Sequence, residues 1–145
     1  MEDPKQIAAS FVEAFNAHDE GRLSELNAES AVLKAPGDVD LEGRKLVTGY
    51  AMAWLRAFPD ARVRVTHEMI VDEWVTQEFV FEGTHEETLW SPVGDFPATH
   101  NRLLGHGVQI FRIKSDAIVE TRLYFDQVEV LAQLGLMREL ATGAA

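Results

Sequence analysis

A chain of 145 residues, 46% hydrophobic and 26% charged, holds enough apolar material for the core of one domain, so a single domain over residues 1–145 is expected. Its 24 acidic against 13 basic residues give a formal charge of −11, which repels a phosphate backbone and argues against a nucleic-acid partner. The absence of cysteine excludes a disulfide framework, a thiolate nucleophile and a Cys-ligated zinc.

Taken in chain order, "MEDPKQIAASF" is acidic and lacks a basic segment followed by an apolar one. No later run approaches a membrane span, so a soluble, cytoplasmic protein with no membrane partner is expected. Asp3 and Pro4 read as the cap and first residue of a helix that places Ile7, Phe11, Val12 and Phe15 on one face, and Gln6 stands where it could close a capping box. A short second helix starts near Glu20 behind the cap Asp19, with Leu23 and Leu26 turned inward. "SAVLKAPGDVDLEGR" reads as a short strand broken at Pro36-Gly37. "RKLVTGYAMAWLRAF" sets Leu46, Val47, Tyr50, Ala51, Trp54, Leu55 and Phe58 at helical spacing, and Pro59-Asp60 ends it.

Beyond Asp60 the period changes from helical to two. "RVRVTHEMIVD", "EWVTQEFVFEGTHEETL", "RLLGHGVQIFRI" and "AIVETRLYFD" are rich in β-branched and aromatic residues and read as a meander of strands, with a hairpin turn at Ser115-Asp116. A short helix over "QVEVLAQL" follows. Helices on one face of an antiparallel sheet define an α+β fold, and a curved sheet wrapped against the long helix would leave an apolar pocket between them. Trp54, Phe58, Phe79, Phe81 and Phe111 are the aromatic candidates for its lining. Core filling is the competing role for each of them.

The order of elements, together with "FNAHD", "AWLRAFPD", "GTHEETLWSPVGDFPAT", "VQIFRI" and "YFDQVEVLAQLGL", resembles the SnoaL-like polyketide cyclases of the nuclear-transport-factor-two-like superfamily, from about residue 5 to residue 137. The resemblance implies a cone-shaped α+β fold whose strongly curved antiparallel sheet, wrapped against the N-terminal helices, encloses the pocket. It also implies cofactor-free acid/base chemistry, such as an intramolecular aldol ring closure or a related isomerase, lyase or hydrolase reaction, on a hydrophobic carbonyl compound. It makes Asp126 the general acid/base, and it implies a homodimer formed through the outer sheet face. It also turns Gly107, Gln109 and Phe111 toward the pocket and leaves His106, Val108, Ile110 and Arg112 on the other face. The family's cyclases carry a glutamine and a histidine where this chain has Gly107 and Gln109.

Aldol closure needs one group that accepts an α-proton and then returns a proton to the new alkoxide, and a partly desolvated carboxylate could do both. Asp126 also directly precedes a helical segment, so a helix cap is the competing role. Tyr50, Trp54, His85, Gln109, Phe111 and Tyr124 are the candidates to bind substrate. Lys34 is a further polar position that the resemblance turns inward. An Arg122 pair would hold the Asp126 carboxylate ionised and oppose acid catalysis. No metal-binding motif, phosphate loop or nucleophile elbow is present, so neither metal nor cofactor is expected. A non-catalytic protein that binds a small hydrophobic ligand in the same cone is the alternative function.

Overall fold

The computed structural model describes residues 3–137; the ends of the expected domain, residues 1–2 and 138–145, lie outside the described residues. Helix α1 (Pro4–Asn16) begins where Asp3 accepts a hydrogen bond from the Gln6 N–H at 2.9 Å, and α2 (Glu20–Leu26) where Asp19 accepts from the Arg22 N–H at 3.0 Å. These caps satisfy amides that have no partner within the helix. Strands β1 (Asn27–Ala35) and β2 (Val39–Glu42) form a hairpin, and its turn uses positive φ at Gly37 and Asp38. Helix α3 (Arg44–Ala57) follows, burying Val47, Tyr50, Leu55 and Ala57 but leaving Leu46 exposed.

Strands β3 (Arg62–Val71), β4 (Trp74–Thr84), β5 (Arg102–Lys114) and β6 (Ala117–Phe125) make the meander, and α4 (Gln127–Gln133) closes the described chain. Ser115 and Asp116 both have positive φ, as the tight hairpin between β5 and β6 requires. The fourth strand is shorter than its sequence pattern suggests. It stops at Thr84, and "HEETL" enters a loop that makes only the isolated bridge Leu89 to Phe96.

The sheet order is β2-β1-β6-β5-β4-β3, and the β1–β6 pair is parallel, so the sheet is mixed rather than wholly antiparallel. The reason lies in connectivity. After the first hairpin, α3 carries the chain to the far edge, and the meander returns strand by strand until β6 lies beside β1 in the same direction. Periodicity along single strands does not contain that information.

Helices α1 and α3 cover the concave face. Phe11 and Phe15 of α1, Trp54 of α3 and Phe58 at its C-terminal cap meet Phe81 and Phe111 of the sheet in one apolar cluster. Near the other end of α3, Val47 and Tyr50 pack with Ala31, Leu33 and Val39.

Helix α4 supplies what β6 leaves open. Strand β6 pairs with β5 only from Gly107 to Lys114, so the backbone around Leu104 and His106 lacks a strand on that side. The Gln133 amide accepts from the Leu104 N–H at 2.7 Å and donates to the Leu104 carbonyl at 2.9 Å, while Glu129 Oε1 accepts from the His106 N–H at 2.8 Å. Side chains thus replace a missing strand and hold α4 against the wall of the concave face. Among the described residues no helix is long and apolar enough to cross a membrane.

Candidate functional site

Between α1, α3 and the concave face lies a cavity of about 90 Å³. A second space of about 130 Å³, under the loop that follows β4, shares Tyr50, Trp54, Phe125 and Val130 with it. The walls follow from two periodicities. Phe11, Val12 and Phe15 lie along one stripe of α1, and Tyr50, Ala51 and Trp54 along one stripe of α3. Strand alternation then contributes Phe79 and Phe81 from β4, Gly105 and Gln109 from β5, and Thr121, Leu123 and Phe125 from β6.

The polarity of this wall is low and neutral. No Asp, Glu, Lys or Arg is among the described residues that line either space. Burial pushes the Tyr50 phenol up from its ordinary value, so its hydroxyl stays protonated and uncharged at neutral pH. Gln109 adds an amide and Thr121 a hydroxyl. His106 borders the cavity as well, but its imidazole is 64% exposed and bonds Glu129 at 3.2 Å. The arrangement suits an apolar molecule fixed by a few neutral hydrogen bonds.

Of the residues expected to serve the pocket, the structure brings Tyr50, Trp54 and Gln109 together on the wall. Phe79 and Phe81 join them, whereas Phe111 and Phe58 lie in the packed core behind it, neither showing any exposed surface.

The expected position of Asp126 is corrected. Its carboxylate is exposed and accepts from the Val128 N–H at 2.8 Å and the Glu129 N–H at 3.2 Å, capping α4, and it lines neither space. Tyr124 is corrected for a related reason. It shares the strand face of Arg122, pointing away from the cavity, and is 54% exposed. Arg122 pairs with Glu120 instead of Asp126, and it and Arg112 both lie within about 6 Å of the Trp74 ring centroid, at 5.8 and 5.5 Å. Lys34 is exposed.

His85, expected to bind substrate, lines neither space. It is fully buried and stacks on Phe58 at 5.3 Å. The Thr99 N–H donates to its Nδ1 at 3.2 Å, which places the ring proton on Nε2, an atom without a partner among the described residues. Desolvation pulls its pKa below the ordinary value and keeps the ring neutral. Backbone bonds from His85 to Asn101 and from His100 to His85 close the loop between them. His85 therefore anchors the segment carrying Leu89, Trp90 and Phe96, which line the second space.

Sequence reasoning missed Leu123, Thr121 and Gln77. On β6, "TRLYF" alternates, and the apolar positions Leu123 and Phe125 mark the inner face once Arg122 and Tyr124 are assigned to the outer one. On β4, Gln77 interrupts the inward series Val75, Phe79, Phe81, yet it is only 1% exposed. A lone polar residue in phase with buried apolar ones was the available signal.

Among the described residues no three His, Asp or Glu side chains converge as metal ligands would.

With fold and cavity described, comparison with other proteins gives the class. The model of the SnoaL-like polyketide cyclase family matches residues 5–134, and the chain belongs to that family. IdmH of Streptomyces antibioticus, a candidate polyketide cyclase, is similar at 27% identity with a TM-score of 0.77, covering 92% of this chain and 99% of its own. AclR of Streptomyces galilaeus, a candidate hydroxylase, shares the fold at 22% identity and a TM-score of 0.76, covering 91% and 95%. An epoxide hydrolase of M. tuberculosis, of the LEH-like kind, does so at 13% identity and a TM-score of 0.70, covering 96% and 95%. No protein of curated function matches the sequence.

Proposed function

We propose that this protein binds a hydrophobic, oxygen-bearing small molecule of the polyketide kind in the cavity beneath α1 and α3. The observation that carries the reading is the wall itself. It is aromatic and aliphatic, with neutral Tyr50, Gln109 and Thr121 and no acidic, lysine or arginine side chain among its described lining. Such a site rewards apolar surface and orients a ligand by hydrogen bonds. Family membership supports the substrate class, because polyketides are oxygenated carbon skeletons of this character. Trp54, on the wall, makes the reading directly measurable. A polycyclic phenol or ketone is expected to change tryptophan emission in the protein and to lose much of that response in Trp54→Phe; a response left intact by Trp54→Phe would place the binding elsewhere.

An enzymatic reading has one specific support, the His106–Glu129 pair at the cavity border. An imidazole held by a carboxylate can take a proton from the α-carbon of a ketone and return it. Hydrogen–deuterium exchange at the α-carbons of 2-tetralone, followed by NMR, tests it. Catalysed exchange that disappears in His106→Gln but survives in Asp126→Asn is expected of this pair. Loss in Asp126→Asn alone would return the role to Asp126.

The expected homodimer has its own support in Leu104 and Tyr124, both exposed on the outer sheet face, with Val108 directly opposite Tyr124. Sedimentation at micromolar concentration is expected to show twice the chain mass, and a monomer there would reject it.

A further inference from the structure

The three strands β3, β4 and β5 set Glu68, Gln77 and Gln109 directly opposite one another across the sheet. The side chains are joined in the same order. Gln77 Nε2 donates to Glu68 Oε2 at 2.8 Å, and Gln109 Nε2 donates to Gln77 Oε1 at 2.9 Å. Gln77 and Gln109 are 1% and 7% exposed, so bulk water does not compete for the bond between them, whereas Glu68 at the start of the row is exposed.

The sense of the row follows from its first member. A carboxylate only accepts, so it admits the amino end of the Gln77 amide and refuses the carbonyl end. That choice leaves Gln77 Oε1 facing β5, and an oxygen that only accepts requires the amino end of Gln109 in turn. The carbonyl of Gln109 is left as the free end of the row, on the one member that lines the cavity. Leu123, next in register on β6, offers it no hydrogen bond.

We propose that Glu68, a positioning residue two strands away and about 10 Å from Gln109, sets through Gln77 the hydrogen-bond polarity of the cavity, and so selects ligands that present a hydroxyl or enol O–H to Gln109 over those that present only a carbonyl. The proposal rests on the cavity being a site for a hydrophobic, oxygen-bearing molecule, and it adds which oxygen chemistry that molecule presents. In a family that handles polyketides, it distinguishes an enolised or hydroxylated skeleton from its keto form.

Reversing the first member should reverse the row. Glu68→Lys replaces a group that only accepts with one that only donates, on an exposed edge strand where lysine is well tolerated. Both amides then turn over, and Gln109 offers N–H to the cavity. Gln77→Met removes the link while keeping similar volume.

The test measures dissociation constants for 1-tetralol and 1-tetralone, a size-matched alcohol and ketone, with the unaltered protein and both variants. The unaltered protein should prefer the alcohol by roughly five- to tenfold, the effect of one neutral hydrogen bond. In Glu68→Lys that ratio should fall to one or below, and Gln77→Met should bring it near one. A preference unchanged in Glu68→Lys overturns the relay while leaving the cavity as a binding site. If neither compound binds, the cavity reading fails for such ligands, and the side-chain amide NMR signals of Gln109 decide the relay alone. A shift of those signals in Glu68→Lys supports it, and identical signals overturn it.

Discussion

The ring of Phe79 occupies the space that a side chain on Gly107 would need. The two residues lie directly opposite on β4 and β5, and a Cβ built on Gly107 would stand 2.5 Å from Phe79 Cζ and 3.0 Å from each Cε. Phe79 lines the cavity while Gly107 does not, so the wall at that point is an aromatic ring.

This relationship predicts strong coupling. Gly107→Ala is expected to destabilise the protein by about 1–3 kcal/mol, the usual result of overfilling a packed site. Phe79→Leu in the same chain should relieve most of that loss, giving a coupling of more than about 0.5 kcal/mol in a double-mutant cycle by urea denaturation. Additive effects would mean that the ring yields freely.

Asp126 caps α4 through its bonds to the Val128 and Glu129 N–H groups. Asp126→Ala should lose about 1 kcal/mol of stability, whereas Asp126→Asn, which preserves a capping oxygen, should stay within a few tenths. Neither change should alter the affinity for 1-tetralol, measured by tryptophan emission. A large drop in affinity with Asp126→Asn would give the carboxylate a direct part in binding.

Ala51 lies on the cavity stripe of α3, next to Tyr50 in the chain and about one turn before Trp54, and it borders the space. Ala51→Phe should fill part of that space and weaken 1-tetralol binding by at least about tenfold. The circular dichroism spectrum should be unchanged, since the new ring enters existing room rather than packed side chains. Unchanged affinity would mean that the probe sits elsewhere.

His85 gives the expected pH dependence. Its folded pKa lies below the ordinary value of 6.5 because burial disfavours the charged ring. Between those two values the unfolded chain binds the extra proton, so stability rises with pH across that window. The His85 contribution is therefore complete above about pH 6.5 and declines as pH falls toward the lowered folded value. His85→Asn keeps an acceptor for the Thr99 N–H and cannot titrate. Its denaturation midpoint should be lower overall but should depend less on pH between 5 and 7, roughly the range in which histidine changes charge. Equal slopes for the two proteins would remove His85 as the source.

Much of the architecture was legible in the sequence because it rests on local rules. Asp3 and Asp19 precede their helices as caps must, α3 carries its apolar residues at helical spacing, and Ser115-Asp116 marks a tight hairpin between two alternating segments. The common face of Gly107, Gln109 and Phe111 was legible for the same reason, since a strand reverses its side chains at every residue, and the family resemblance turned that face inward. Family membership was legible in the ordered combination of short motifs that runs through nearly the whole chain.

The site was legible only in part. Helical spacing put Tyr50 and Trp54 on one face of α3, and the family resemblance turned Gln109 toward the cavity whose wall all three line. Asp126 could not be placed, because the same residue type serves a helix N-terminus and an acid/base site, and only the direction of its carboxylate separates the two. His85 stands in the polar segment "GTHEE", yet the return of the loop buries it against Phe58 through bonds to Thr99 and Asn101, contacts 14 and 16 residues away in the chain. The parallel β1–β6 pair and the row from Glu68 to Gln109 likewise join residues that are distant in sequence. Local preferences set which face each residue takes within its own element. Which elements become neighbours, and so which polar groups meet and in which sense they bond, depends on the packing of the whole chain.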